Sequence, residues 1–121
     1  MYEQQVILAT LKSARLLLEK KYGIKTLALF GSYSRNTASE GKSDIDVMVE
    51  FSTPIGIQFI DLADELEQLL NHKVDLVSRK AIKPKYLKAI EPELVYVQIS
   101  YESLFRIFNN KFQYVARGDR I

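Results

Sequence analysis

Apolar positions recur with a helical period over the first part of the chain. Ile7, Leu11, Ala14 and Leu18 fall at i, i+4, i+7 and i+11, and Val6 and Leu17 widen the stripe. Residues 2–22 are therefore predicted to form an amphipathic helix that packs on a sheet. Gly23 is placed to cap it, with Lys20 and Lys21 in the last turn, where the helix dipole favours cations. The period then shortens. Residues 25–30 are a short apolar strand that runs into Gly31-Ser32, and residues 33–43 are a polar loop whose only apolar anchors are Tyr33 and Ala38. Residues 44–51 alternate as a second strand. Asp44, Asp46, Met48 and Glu50 share one face, and Ile45, Val47, Val49 and Phe51 share the other.

Ser52-Thr53-Pro54 breaks that strand. A helix is expected from about residue 57 to 71, with Phe59, Leu62, Leu66 and Leu69 buried and Asp61, Asp64, Glu65 and Glu67 on its outer face. Residues 73–77, KVDLV, read as a third strand. Pro84 is suited to start a short helix through Ile90, which Pro92 ends. Residues 94–99 are β-branched and aromatic enough for a fourth strand at a sheet edge. Tyr101, Phe105, Phe108 and Phe112 then return to i, i+4, i+7 and i+11, an aromatic stripe on a helix. That stripe suits packing on its own domain or a dimer mate, or binding a partner, and residues 117–121 are expected to be loose. The order predicts an α/β (α+β) domain over residues 1–99, a small mixed sheet with helices mainly on one face, followed by a helical, aromatic-rich extension over residues 100–121.

Composition narrows the function classes. At 121 residues and 47% hydrophobic, the chain has the size and apolar content of one domain with one core. A net charge of +2 gives no general case for nucleic-acid binding, and DNA is not expected as a partner. The absence of cysteine excludes disulfides, thiol nucleophiles and zinc–thiolate sites, and suits the cytoplasm. His72 is the one histidine, too few for a multi-histidine metal site. No apolar run approaches the roughly 20 residues of a membrane span. Glu3 and the lack of a basic start followed by an apolar stretch argue against a signal peptide.

Chemistry concentrates between Phe30 and Phe51. Asp44 and Asp46, at i and i+2 of a strand, stand about 6–7 Å apart and can converge on a divalent ion. Hard cations such as Mg²⁺ take oxygen ligands and keep waters and substrate phosphates. Gly31 lets backbone approach a ligand, and a helix starting at Ser32 would offer free N–H groups and a hydroxyl to phosphate. Alone, such an acidic pair is often a solvated strand end and a Gly-Ser a turn. On adjacent strand ends the two suggest a metal–triphosphate site. Asp75 shares a face with Lys73 and Val77, and a charge in an apolar strand needs a cationic partner or a metal. Spacing alone leaves both open. Arg35 and Lys42 suit phosphate contact or loop solvation equally, and the basic residues 79–88 suit an acidic partner, nucleotide phosphates or plain solvation.

This arrangement, Gly-Ser, a polar loop, then Asp-x-Asp opening an apolar strand, resembles the minimal nucleotidyltransferases (MNT) of the DNA polymerase beta superfamily over residues 1–99. The loop is one residue longer than the family pattern, and Asn36 stands where a glycine usually follows Arg35; asparagine tolerates the left-handed backbone better than most residues. The resemblance implies a polymerase-beta palm-like fold, with Asp75 as the third carboxylate. Asp44, Asp46 and Asp75 would hold two Mg²⁺ ions as metal ligands and catalytic groups. Gly31 and Ser32, with Arg35 beside them, would bind the ATP phosphates. It further implies AMP transfer with release of pyrophosphate, in an antitoxin whose partner is a HEPN ribonuclease toxin and whose acceptor is a tyrosine hydroxyl of that toxin. Alternatives are an inactive antitoxin that occludes the toxin through the aromatic stripe, or transfer to a small molecule or RNA. A homodimer is left open.

Overall fold

The computed structural model describes residues 4–39 and 42–98, so the extension and its aromatic stripe lie outside the described residues. Eight elements follow one another: α1 (Gln4–Tyr22), β1 (Ile24–Phe30), α2 (Gly31–Ser34), β2 (Ile45–Phe51), α3 (Gln58–Leu70), β3 (Val74–Ser78), α4 (Pro84–Ile90) and β4 (Val95–Tyr96). Short 3-10 turns at Arg79–Ala81 and Glu91–Glu93 flank α4. The strands order as β3-β2-β1-β4. The loop after α2 returns the chain as an antiparallel neighbour, so β1 pairs β2 antiparallel. The α3 crossover carries it back the same way, so β2 pairs β3 parallel. β4 closes the other edge against β1, as an edge strand shorter than its sequence suggests.

Ile7, Leu11 and Leu18 of α1 and Leu62, Leu66 and Leu70 of α3 form one core with Leu27, Leu29, Ile45, Val47 and Val49 of the sheet. Each such aliphatic chain contributes about 1.5–3 kcal/mol by leaving water. The helical stripes are narrower than the sequence suggests. Leu17 is 70% exposed and Leu69 39%, and Val6 is exposed too. A helix lying on one surface buries a single row, which here runs Ile7, Leu11, Arg15, Leu18, Tyr22.

The polar members of that row are held. Arg15 donates from Nη2 to the Lys25 carbonyl at 3.0 Å, tying α1 to β1. The Tyr22 hydroxyl donates to Glu65 Oε2 at 2.6 Å, and Lys21 Nζ reaches Glu65 Oε1 at 3.1 Å. Glu65 therefore belongs to the α1–α3 seam, not to an outer acidic face. Glu67 also turns inward, accepting from the Val74 backbone N–H at 2.9 Å.

The second sheet face is only partly open. Val77, Met48, Ala28 and Tyr96 line up across all four strands. Met48 and Ala28 are buried although they face away from α1 and α3. Arg79, just past one edge strand, donates to the Tyr96 hydroxyl on the other edge at 2.9 Å. The connection after β3 thus crosses this row and helps to cover it. The end of the face beyond that row carries the acidic residues.

Candidate active site

The acidic pair occupies the start of β2. Asp46 lies opposite Asp75 in the parallel β2–β3 pairing and opposite Phe30 in the β1–β2 pairing. Paired residues of neighbouring strands project to the same side, so Asp46 and Asp75 share the face turned away from α1 and α3. Asp44 precedes β2 by one residue, and its charge reaches Asp46. The structure therefore places Asp46 and Asp75 on one face at the sheet end, with Asp44 within electrostatic reach of Asp46. Asp75 is exposed, because β3 is an edge strand. The desolvation expected of a mid-strand charge does not arise, and among the described residues no lysine or arginine pairs with it.

Gly31 stands against Asp46. Its φ is +75°, a conformation that L side chains rarely adopt, and a Cβ there would come within 2.0 Å of Asp46 Oδ2. Glycine is required twice over, by the turn and by the carboxylate packed on it. The turn continues into the four-residue α2, whose end is fixed by Thr37 N–H donating to the Ser32 carbonyl at 2.8 Å. Asn36 has φ 59°, so asparagine takes the left-handed conformation at the position where the family pattern has glycine.

This crowding leaves an electrostatic signature. The Asp46 carboxyl is pushed up to about 6, first by burial, then by the charges of Asp75 and Asp44. Arg35 opposes the rise and Glu93 adds to it. Arg35 itself is ion-paired with Glu93, whose backbone carbonyl also accepts from Ser34 Oγ. No local pattern points to Glu93, because its partner lies 58 positions away. Nor does any local pattern show that the Tyr33 hydroxyl meets His72 Nε2, at 3.3 Å. Lys42 is exposed.

The donor set fits a hard divalent ion in one particular way. All the candidate ligands are carboxylate oxygens, and burial, with the neighbouring charges of Asp75 and Asp44 second to it, disfavours the ionised form of Asp46. Among the described residues, however, no three Asp, Glu or His side chains stand close enough to form an ion cage by themselves. Mg²⁺ is suited to such an incomplete shell, because it retains waters and substrate phosphates as ligands.

A nucleotidyltransferase domain model matches residues 11–97. Two relatives are named as putative. One is a protein adenylyltransferase of Methanocaldococcus jannaschii, 49% identical over 89 residues, covering 72% of this chain and 90% of the relative. The other is a minimal nucleotidyltransferase of known structure, 26% identical with TM-score 0.66, covering 78% of this chain and 95% of that one. A Shewanella oneidensis complex of a tri-AMPylated HEPN toxin with its MNT antitoxin shares the fold at 19% identity, TM-score 0.57, covering 98% and 99% of the two chains. The chain belongs to the nucleotidyltransferase domain family, among its minimal nucleotidyltransferases.

Proposed function

We propose that this chain is an antitoxin that transfers AMP from ATP to a hydroxyl of a HEPN ribonuclease toxin, with a tyrosine as the acceptor. The observation that carries the reading is the in-register pair Asp46–Asp75, with Asp44 just before the start of β2 and Gly31 packed on Asp46. The names of the relative and of the Shewanella complex support the acceptor class.

Asp44 and Asp46 would hold Mg²⁺, with Asp75 completing the set on the neighbouring strand. Bound there, the two ions would supply charge neutralisation at the attacking and leaving oxygens of an in-line displacement. The Gly31 backbone and the Ser32 hydroxyl hold the β- and γ-phosphates, and Arg35 meets them once it leaves Glu93. Asp75 is exposed on an edge strand, where a protein hydroxyl can reach it, and its carboxylate takes the proton of that hydroxyl. The acceptor oxygen then bonds to the α-phosphorus as the bond to the bridging oxygen of pyrophosphate breaks.

The test is AMP transfer to the HEPN partner, read by mass spectrometry, with the Asp44→Asn/Asp46→Asn double variant. Loss of transfer in a variant that still folds is expected. Transfer at the wild-type rate would overturn the proposal.

A further inference from the structure

The lone histidine sits where the three site segments meet. His72 follows the left-handed end of α3 at Asn71 and precedes β3. Its Nδ1 lies 2.9 Å from the Lys73 carbonyl oxygen. A carbonyl cannot donate, so in the neutral ring Nδ1 carries the hydrogen and Nε2 is left as an acceptor. Nε2 faces the Tyr33 hydroxyl at 3.3 Å, and the two rings meet edge to face at 5.7 Å. Tyr33 belongs to α2, one residue past Ser32, and is buried in the core. The Lys73 carbonyl has a second donor, the backbone N–H of Ile45 at 3.0 Å. Ile45 is the residue between Asp44 and Asp46, and Lys73 stands two residues before Asp75.

One chain of hydrogen bonds therefore runs from the glycine–serine turn through Tyr33, His72 and Lys73 to the middle of the acidic pair. It is anchored at the start of the strand that bears the third carboxylate. We infer that His72 is a positioning residue, which with Tyr33 fixes the glycine–serine turn at a set distance from Asp44, Asp46 and Asp75. The inference rests on the proposed transfer reaction for its catalytic consequence. A misplacement of about 1 Å between reacting groups costs up to roughly a hundredfold in rate, so a side-chain tie of this kind acts on kcat more than on substrate affinity.

Three variants separate the two arms. Tyr33→Phe keeps the buried ring and removes the hydroxyl donor. His72→Ala removes both arms, and His72→Gln places an amide near the position of Nε2 and serves as the rescue. With Mg²⁺·ATP and the HEPN partner, Tyr33→Phe and His72→Ala are expected to lower kcat by roughly tenfold or more, with KM for ATP within about twofold of wild type. The double variant should be no worse than His72→Ala, because both changes break one chain. His72→Gln should recover part of the loss. Amide hydrogen exchange gives a readout that needs no activity: the Ile45 N–H should exchange about tenfold faster in His72→Ala, with the centre of the sheet unchanged.

A kcat within about twofold of wild type in both single variants overturns the inference. So does exchange that quickens evenly over the whole sheet, which marks a loss of stability and not of position. Failure of the wild-type chain to transfer AMP refutes the proposed function instead, and the Ile45 exchange still decides whether the bridge holds the acidic pair.

Discussion

Asp46 and Asp75 stand directly across from each other on parallel neighbouring strands, and Gly31 closes on Asp46 from the β1 side. The arrangement forces two carboxylates together at a sheet end, while Asp44 approaches from just before β2. Folding does not gain from such a cluster, since like charges at short range raise one another's proton affinity. The sheet holds them there through the pairing of β2 with β3, which the hydrophobic core fixes.

The first consequence is a pH dependence of stability with a definite sign. Asp46 titrates at about 6 in the folded chain, against an ordinary 3.8 when unfolded. Between these values the folded state binds the extra proton, so stability falls as pH rises from about 4 to about 6 and the loss is complete above that. Asp46→Asn removes the penalty. Its thermal midpoint should exceed that of wild type at pH 7.5, and the gap should close at pH 4, as calorimetry without metal would read.

Gly31→Ala should damage both the fold and the site. The new methyl meets the Asp46 carboxylate at 2.0 Å and the backbone is held at φ +75°. Strain of this kind costs on the order of 1–3 kcal/mol. Urea unfolding should show that loss, and AMP transfer should be lost with the displaced carboxylate. Wild-type stability in this variant would mean that the turn has an easy alternative path.

Much of this was legible in the chain. The alternation from Asp44 to Phe51 gave the strand and its acidic face, because a period of two leaves one assignment of faces. Asp75 needed more than spacing, since only the pairing of β2 with β3 decides which side it takes. What stayed hidden is the long-range polar contacts. Glu93 meets Arg35 and Glu65 meets Tyr22 across 58 and 43 positions, and no local pattern carries such information. The burial of Arg15 in place of Leu17 escaped for a related reason. Hydropathy ranks leucine first, whereas the helix's orientation on the sheet chose arginine and gave it the Lys25 carbonyl.

Glu93 holds Arg35 away from its proposed phosphate role. The Arg35 side chain is half exposed, and an exposed ion pair holds about 0.2–1 kcal/mol. Glu93→Gln should therefore lower KM for Mg²⁺·ATP by at most roughly fivefold, and Arg35→Ala should raise it. Steady-state kinetics of both variants checks this. A KM unchanged in both would remove Arg35 from the phosphate site while leaving the carboxylates untouched.

The α1–α3 seam offers a test away from the acidic end. The Tyr22 hydroxyl bonds to Glu65, and its ionisation is pushed from 10.0 up to about 12, first by burial and then by that bond and charge. Glu65 is held below its ordinary value, chiefly by the same hydrogen bond. Tyr22's contribution is fully present below pH 10 and is lost as pH rises towards 12. Glu65's is present above its ordinary value and is lost as pH falls through its lowered one. Tyr22→Phe should cost about 1–2 kcal/mol at pH 7, since a hydrogen bond to a charged group is worth about 1.5–3 kcal/mol and Glu65 is partly solvated. The difference from wild type should shrink at both ends of the pH range. Urea titrations at pH 3, 7 and 11.5 measure it, and a difference that stays constant across all three would show that Tyr22 acts through packing alone.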